Sequence, residues 1–158
     1  METVTINITR ASLIADMKVK SHAEVASIAD PKARYLAELG TEKEEEANQD
    51  ITDAVAEVTS ILRPFLATNA GTETASDAYD TTNAITFTLS VTDRKADGMA
   101  APLTKAIHAY IVDSALEKFY TSVAQGDLAQ RHLAQQSAAL PFIENILYRR
   151  KNPTYPTT

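Results

Sequence analysis

From Pro102 to Val123 the apolar residues Leu103, Ile107, Tyr110, Ile111, Ala115, Leu116, Phe119, Tyr120 and Val123 recur at helical spacing and cover much of the circumference. A helix apolar over so wide an arc must be wrapped by other elements, which predicts a central helix within a bundle. The rest of the chain supplies wrapping material. With 158 residues there is room for one ordinary buried core and little more. Only four glycines occur, and alanine and threonine are plentiful, a composition that suits close-packed helices better than a sandwich or barrel.

Two segments depart from the helical period. Residues Thr3 to Thr9 alternate strictly, with Val4, Ile6 and Ile8 on one side and Thr3, Thr5, Asn7 and Thr9 on the other. Ile85, Phe87, Leu89 and Val91 alternate in the same way with Thr86, Thr88, Ser90 and Thr92. The expected fold is therefore mainly α: a helical bundle with a small two-stranded β element, its strands near 3–9 and 84–92. Two strands alone are marginal in water, so they must pack on the helices or pair with another subunit.

Further helices fill the remainder. Ala11 to Ala29 carries a loose stripe (Leu13, Ile14, Met17, Val25, Ile28), with Ser21-His22 as a candidate break. Asp30-Pro31 reads as a cap and first turn, predicting a short helix from Pro31 to Leu39 that stops at Gly40. Thr41 and Glu44 form a capping-box pattern, and a long helix should follow with Ala47, Ile51, Ala54, Val55, Val58, Ile61, Leu62 and Phe65 inward. Pro64 should bend or end it. Residues 67–82 read as a long polar loop, and Asp97-Gly98 closes the second strand region. Gly126-Asp127 predicts a stop and a fresh cap, before a last helix through Leu128, Leu133, Leu140, Ile143, Ile146 and Leu147 that Pro141 should kink. One domain over 1–150 then gives way to an extended tail over 151–158, where Pro153 and Pro156 forbid helix.

The chemistry is sparse. No cysteine occurs, which removes disulfides, thiolate nucleophiles and cysteine-ligated metals. A formal charge of −6 makes the chain as a whole a poor binder of nucleic acid phosphates. His22, His108 and His132 fall on different predicted helices without metal-ligand spacing, and read as ordinary surface or partly buried histidines. There is no G-x-S-x-G elbow and no glycine-rich phosphate loop, so no catalytic group, cofactor or metal ligand set emerges, and an enzyme is not expected. The opening METVTINITR lacks the basic and apolar regions of a secretory signal, and no apolar run approaches the roughly 20 residues of a membrane span. A chain made and kept in a cytoplasm is expected.

Charge runs and edges point to contact instead. Glu42 to Asp53 holds six acids against one lysine. Its first reading is a solvated face placed where the helix dipole favours negative charge. The functional reading makes Glu42, Glu44, Glu45, Glu46 and Asp50 candidate channel-facing acids, which repel nucleic acid and let it slide. Arg149, Arg150 and Lys151 complement a helix C-terminus, and they lead into Pro153, Tyr155 and Pro156, an extended piece suited to a neighbour's groove. With the strand residues Val4, Ile6 and Ile8, these form the candidate partner interface.

The segments TVTINITRASL, ITDAVAEVTSILRPFL, ITFTLSVTDR, APLTKAIHAYIVDSALEKFY and LPFIENILYRRKNP, in this order, give the chain a pattern that resembles the small head–tail connector (adaptor) proteins of tailed bacteriophages and prophages, including those of gut Bacteroidetes. Lys18 to Gly40 has no counterpart in that pattern. The resemblance implies a homo-oligomeric ring, commonly of twelve subunits, seated in the virion neck between the portal protein and the tail or a tail-completion protein. DNA would pass through it, and no membrane is involved. Such a ring needs head-to-tail contacts that close by rotation. The competing expectation is a cytoplasmic helical binding or regulatory module with a ligand groove between the central helix and the strands.

Overall fold

The computed structural model describes residues 2–67, 84–92 and 98–149. Strand β1 (Glu2–Thr9) runs straight into helix α1 (Arg10–Val25) without a loop. Thr9 makes this possible, because its side chain accepts the Ser12 N–H at 3.3 Å and caps the helix that its own strand feeds. Short α2 (Pro31–Ala37) and long α3 (Glu44–Leu62) follow, then β2 (Ala84–Val91), α4 (Ala100–Ser122) and α5 (Gly126–Tyr148). The architecture is the expected helical bundle with a two-stranded sheet. The strands pair antiparallel in an unbroken register from Glu2↔Val91 to Thr9↔Ala84. Ile6, Ile8, Ile85, Phe87, Leu89 and Val91 face inward and are buried.

Helix α4 is the centre, touching α5, α3, α1 and β1. Every residue from Tyr110 to Leu116 is buried, so the wide apolar arc does mark an element wrapped on all sides. Asp113 and Ser114 lie inside that wrapped run and must find polar partners there.

Several local expectations are corrected. Helix α1 passes through Ser21-His22 unbroken, because the buried Ser21 hydroxyl accepts the Leu39 N–H at 2.8 Å instead of turning back on its own helix. Helix α2 ends at Ala37, short of Leu39. Lys43 is the reason: its ammonium donates to the carbonyls of Tyr35, Leu36 and Glu38 at 3.1, 2.6 and 2.9 Å, closing the C-terminus of α2. The capping box at Thr41 does not form, since Thr41–Lys43 makes a 3-10 turn and α3 begins only at Glu44. Pro64 ends α3 in a second 3-10 turn, Arg63–Phe65. The stop before α5 belongs to Ala124, which takes φ 59, and Gly126 is already helical. There the N–H of Gln125 reaches back to the Tyr120 carbonyl at 2.9 Å, the closure of a Schellman turn. Helix α5 continues through Pro141, and Leu133, expected inside, is exposed while His132 is buried in its place.

Most of the polar loop over 67–82, and the tail over 151–158, lie outside the described residues. Ala67 is described, and its N–H donates to the Thr88 carbonyl at 2.9 Å on the far edge of β2.

Candidate functional site

Of the residues expected to meet partners, those within the described chain differ in exposure. Ile6 and Ile8 are buried within the single chain, where β2 pairs with one edge of β1 and the helices cover its apolar face. Val4 is half-buried against that core. What remains open on β1 is its polar face, Thr3, Thr5, Asn7 and Thr9, and the backbone edge away from β2. Arg149 is exposed at the end of α5, while Arg150, Lys151, Pro153, Tyr155 and Pro156 lie outside the described residues.

The acidic set also divides. Glu42, Glu45 and Glu46 are exposed and line a shallow depression with Lys43 and Gln49. Glu44 instead pairs with Lys18 of α1. Glu46 accepts the Ser122 hydroxyl at 2.7 Å. Asp50 is half-buried, and its Oδ2 has no hydrogen-bond partner among the described residues. Burial first, and then the charges of Glu46 and Asp53, push its carboxyl up to about 7, against a smaller opposing pull from Lys118. It is less exposed than Glu42, Glu45 and Glu46.

The most ordered polar cluster was invisible in the sequence. His132 of α5 is 1% exposed and stands between two carboxylates. Its Nδ1 lies 2.9 Å from Asp113 of α4, and its Nε2 lies 2.7 Å from Glu24 of α1. The Tyr120 ring stacks on the imidazole with centroids 5.6 Å apart. Burial alone would lower the imidazole pKa, but the hydrogen bonds to Asp113 and Glu24, with their charges, more than reverse this and hold it at about 9. A protonated His132 donates to both carboxylates and ties three helices together. One helical turn further along α5, Gln136 enters a second network. There Glu57 of α3 accepts from Ser114 at 3.0 Å, Lys118 at 2.7 Å and Gln136 at 3.2 Å. Asp113 and Ser114, the two buried polar residues of α4, are thus each matched. Both clusters bind helix to helix. Among the described residues no group of three or more His, Asp and Glu side chains is arranged to hold a metal ion.

Part of the open surface is apolar. A groove of about 600 Å³ runs between α4 and α5, floored by Ala106, Ala109, Ala138 and Ala139 and edged by Phe142 and Lys105. Phe142 is 55% exposed and also borders a smaller hollow of about 180 Å³ beside Gly98 and Arg149. This groove lies on the α4–α5 side. Other elements carry protruding apolar side chains: Val19 on α1, and Tyr35 and Leu36 on α2, at 68%, 64% and 52% exposure. No helix among the described residues is long and apolar enough to cross a membrane.

No family model, curated protein or solved structure matches this chain.

Proposed function

We propose that the chain is a structural subunit of a tailed-phage neck, a head–tail connector that works by side-by-side assembly into a ring through which DNA passes. The observation that carries this reading is a pair of unlike apolar surfaces on one chain: the alanine-floored groove between α4 and α5, and the knobs Tyr35 and Leu36 on α2. A contact repeated by rotation uses two different patches, one on each side of every subunit. An apolar groove and protruding apolar side chains are surfaces that a neighbouring subunit can cover. The exposed acids Glu42, Glu45 and Glu46 suit a wall that DNA slides past without adhering. Twelve copies, and seating between a portal protein and a tail or tail-completion protein in the virion neck, follow from the pattern resemblance.

The groove alone also favours a second reading, a helical binding module that takes an apolar peptide there. Coexpression with the portal protein of the same phage genome separates the two. The ring reading expects capture on the portal and a ring-shaped layer in electron micrographs, lost in Leu36→Asp or Phe142→Asp while the melting temperature of the subunit holds. A chain that remains off the portal, in a genome where its neighbours are metabolic genes, overturns it.

A further inference from the structure

The backbone edge of β1 that faces away from β2 lies open among the described residues. Eight residues lie in unbroken register with β2, so this edge is regular and without a bulge. From Thr3 to Thr9 it bears no charge and no proline, the devices by which natural proteins protect a bare edge. Among the described residues no backbone group bonds to it, whereas the far edge of β2 is occupied by Leu66 and Ala67. The two edges of this sheet are therefore unlike: one is stopped, the other is a template for strand addition.

We infer that the free edge of β1 takes β1 of a second copy, antiparallel about a two-fold axis at Ile6. In that register Ile6 meets Ile6, Val4 meets Ile8, Thr5 meets Asn7 and Thr3 meets Thr9, so apolar residues face apolar and polar face polar. The gain lies in the backbone hydrogen bonds of the added strand, because Ile6 and Ile8 are already buried within each subunit. Arg10, where α1 begins, falls opposite Glu2, so neither helix interrupts the seven paired residues. The result is a four-stranded sheet, β2-β1-β1-β2, with one buried apolar face and one face of threonine, serine and asparagine. Because Leu66 and Ala67 stop the outer edges, addition ends at two copies and does not run on into a fibre. The pairing is isologous and does not rest on the ring reading: it describes the subunit alone, before any portal or tail protein meets it.

Sedimentation equilibrium of the full chain, with no other protein present, tests this. The wild type is expected to show a reversible monomer–dimer equilibrium. Thr5→Lys with Asn7→Lys places like charges opposite each other twice across the axis, and should raise the dimer dissociation constant at least about tenfold. Within the chain these positions face Thr88 and Thr86, both uncharged. Asn7 accepts the Thr86 hydroxyl at 2.9 Å in an exposed bond, so Asn7→Ala serves as the control for its loss. The subunit's own melting should fall no further in the lysine pair than in that control. Thr5→Lys with Asn7→Glu puts opposite charges face to face in this register only, and should restore the dimer. Hydrogen exchange on the wild type gives a reading free of substitutions: alternate β1 amides should gain protection as concentration rises. A chain that stays monomeric at every concentration, a dimer indifferent to the lysine pair, or a lysine–glutamate variant no tighter than the lysine pair overturns the inference.

Discussion

Around His132 two carboxylates from two other helices close on one imidazole, while around Asp50 two further acids crowd a carboxyl whose Oδ2 has no partner. Both groups are withdrawn from water, and withdrawal disfavours charge at each. At His132 the opposed charges more than offset that cost, and the group stays ionised to about pH 9. At Asp50 the neighbours Glu46 and Asp53 add to the cost, and the proton is retained to about pH 7. One site is a lock between α1, α4 and α5; the other is a point where α3 sacrifices stability. The lesson is that burial alone does not tell whether an ionisable residue helps the fold. The sign of its neighbours does.

The sharpest way to break this contrast is to remove the cation. His132→Ala leaves Asp113 and Glu24 facing each other without their shared donor, and should lower unfolding free energy at pH 7 by about 3–5 kcal/mol. Urea denaturation measures it; a loss under about 1 kcal/mol would show that the lock is not one. The pH dependence comes next in size. His132 titrates at about 9 in the folded chain against 6.5 for an ordinary imidazole, so its contribution is complete below pH 6.5 and disappears as pH rises through 9. The fall should be on the order of 3 kcal/mol, and it should be missing from His132→Ala.

Asp50 has the opposite effect at neutral pH. An acid whose pKa is raised on folding is least costly when protonated, so its penalty grows from about pH 4 and is complete above pH 7. Asp50→Asn should therefore stabilise the chain at pH 8 by about 2 kcal/mol, after allowance for partial exposure, and change little near pH 4. Melting curves at the two pH values decide it; equal shifts at both would mean that packing, not charge, is responsible. The smallest effect belongs to exposed Asp53. Asp53→Asn should lower the Asp50 pKa, read by NMR titration of the carboxyl carbon, and add about 0.3 kcal/mol of stability at low salt that fades at high salt.

Much of this architecture was legible residue by residue, and the misses share a cause. The alternation in β1 and β2 and the arc of α4 are local patterns, visible in any window of ten to twenty residues. Hydropathy ranks leucine above histidine, so a local reading puts Leu133 inside and makes His132 an ordinary histidine. The structure inverts them, since Asp113, 19 residues away, and Glu24, 108 residues away, converge on the imidazole. Lys43 looked like a stray cation in an acidic run, yet it closes α2. The interface residues divided for the same reason. Alternation shows which side of β1 is apolar, but only the pairing with β2 reveals that Ile6 and Ile8 are already used and that the open edge is backbone.

The sequence by itself determined the element types, the central place of α4 and the apolar face of each strand, because period and hydrophobicity act over neighbouring residues. Only the tertiary structure decided which ionisable groups are locked and which are strained, where the α4–α5 groove opens, and which sheet edge is stopped. Those properties depend on groups far apart in the chain that meet only after folding, and neither a Coulomb interaction nor a strand pairing leaves a local mark in the order of residues.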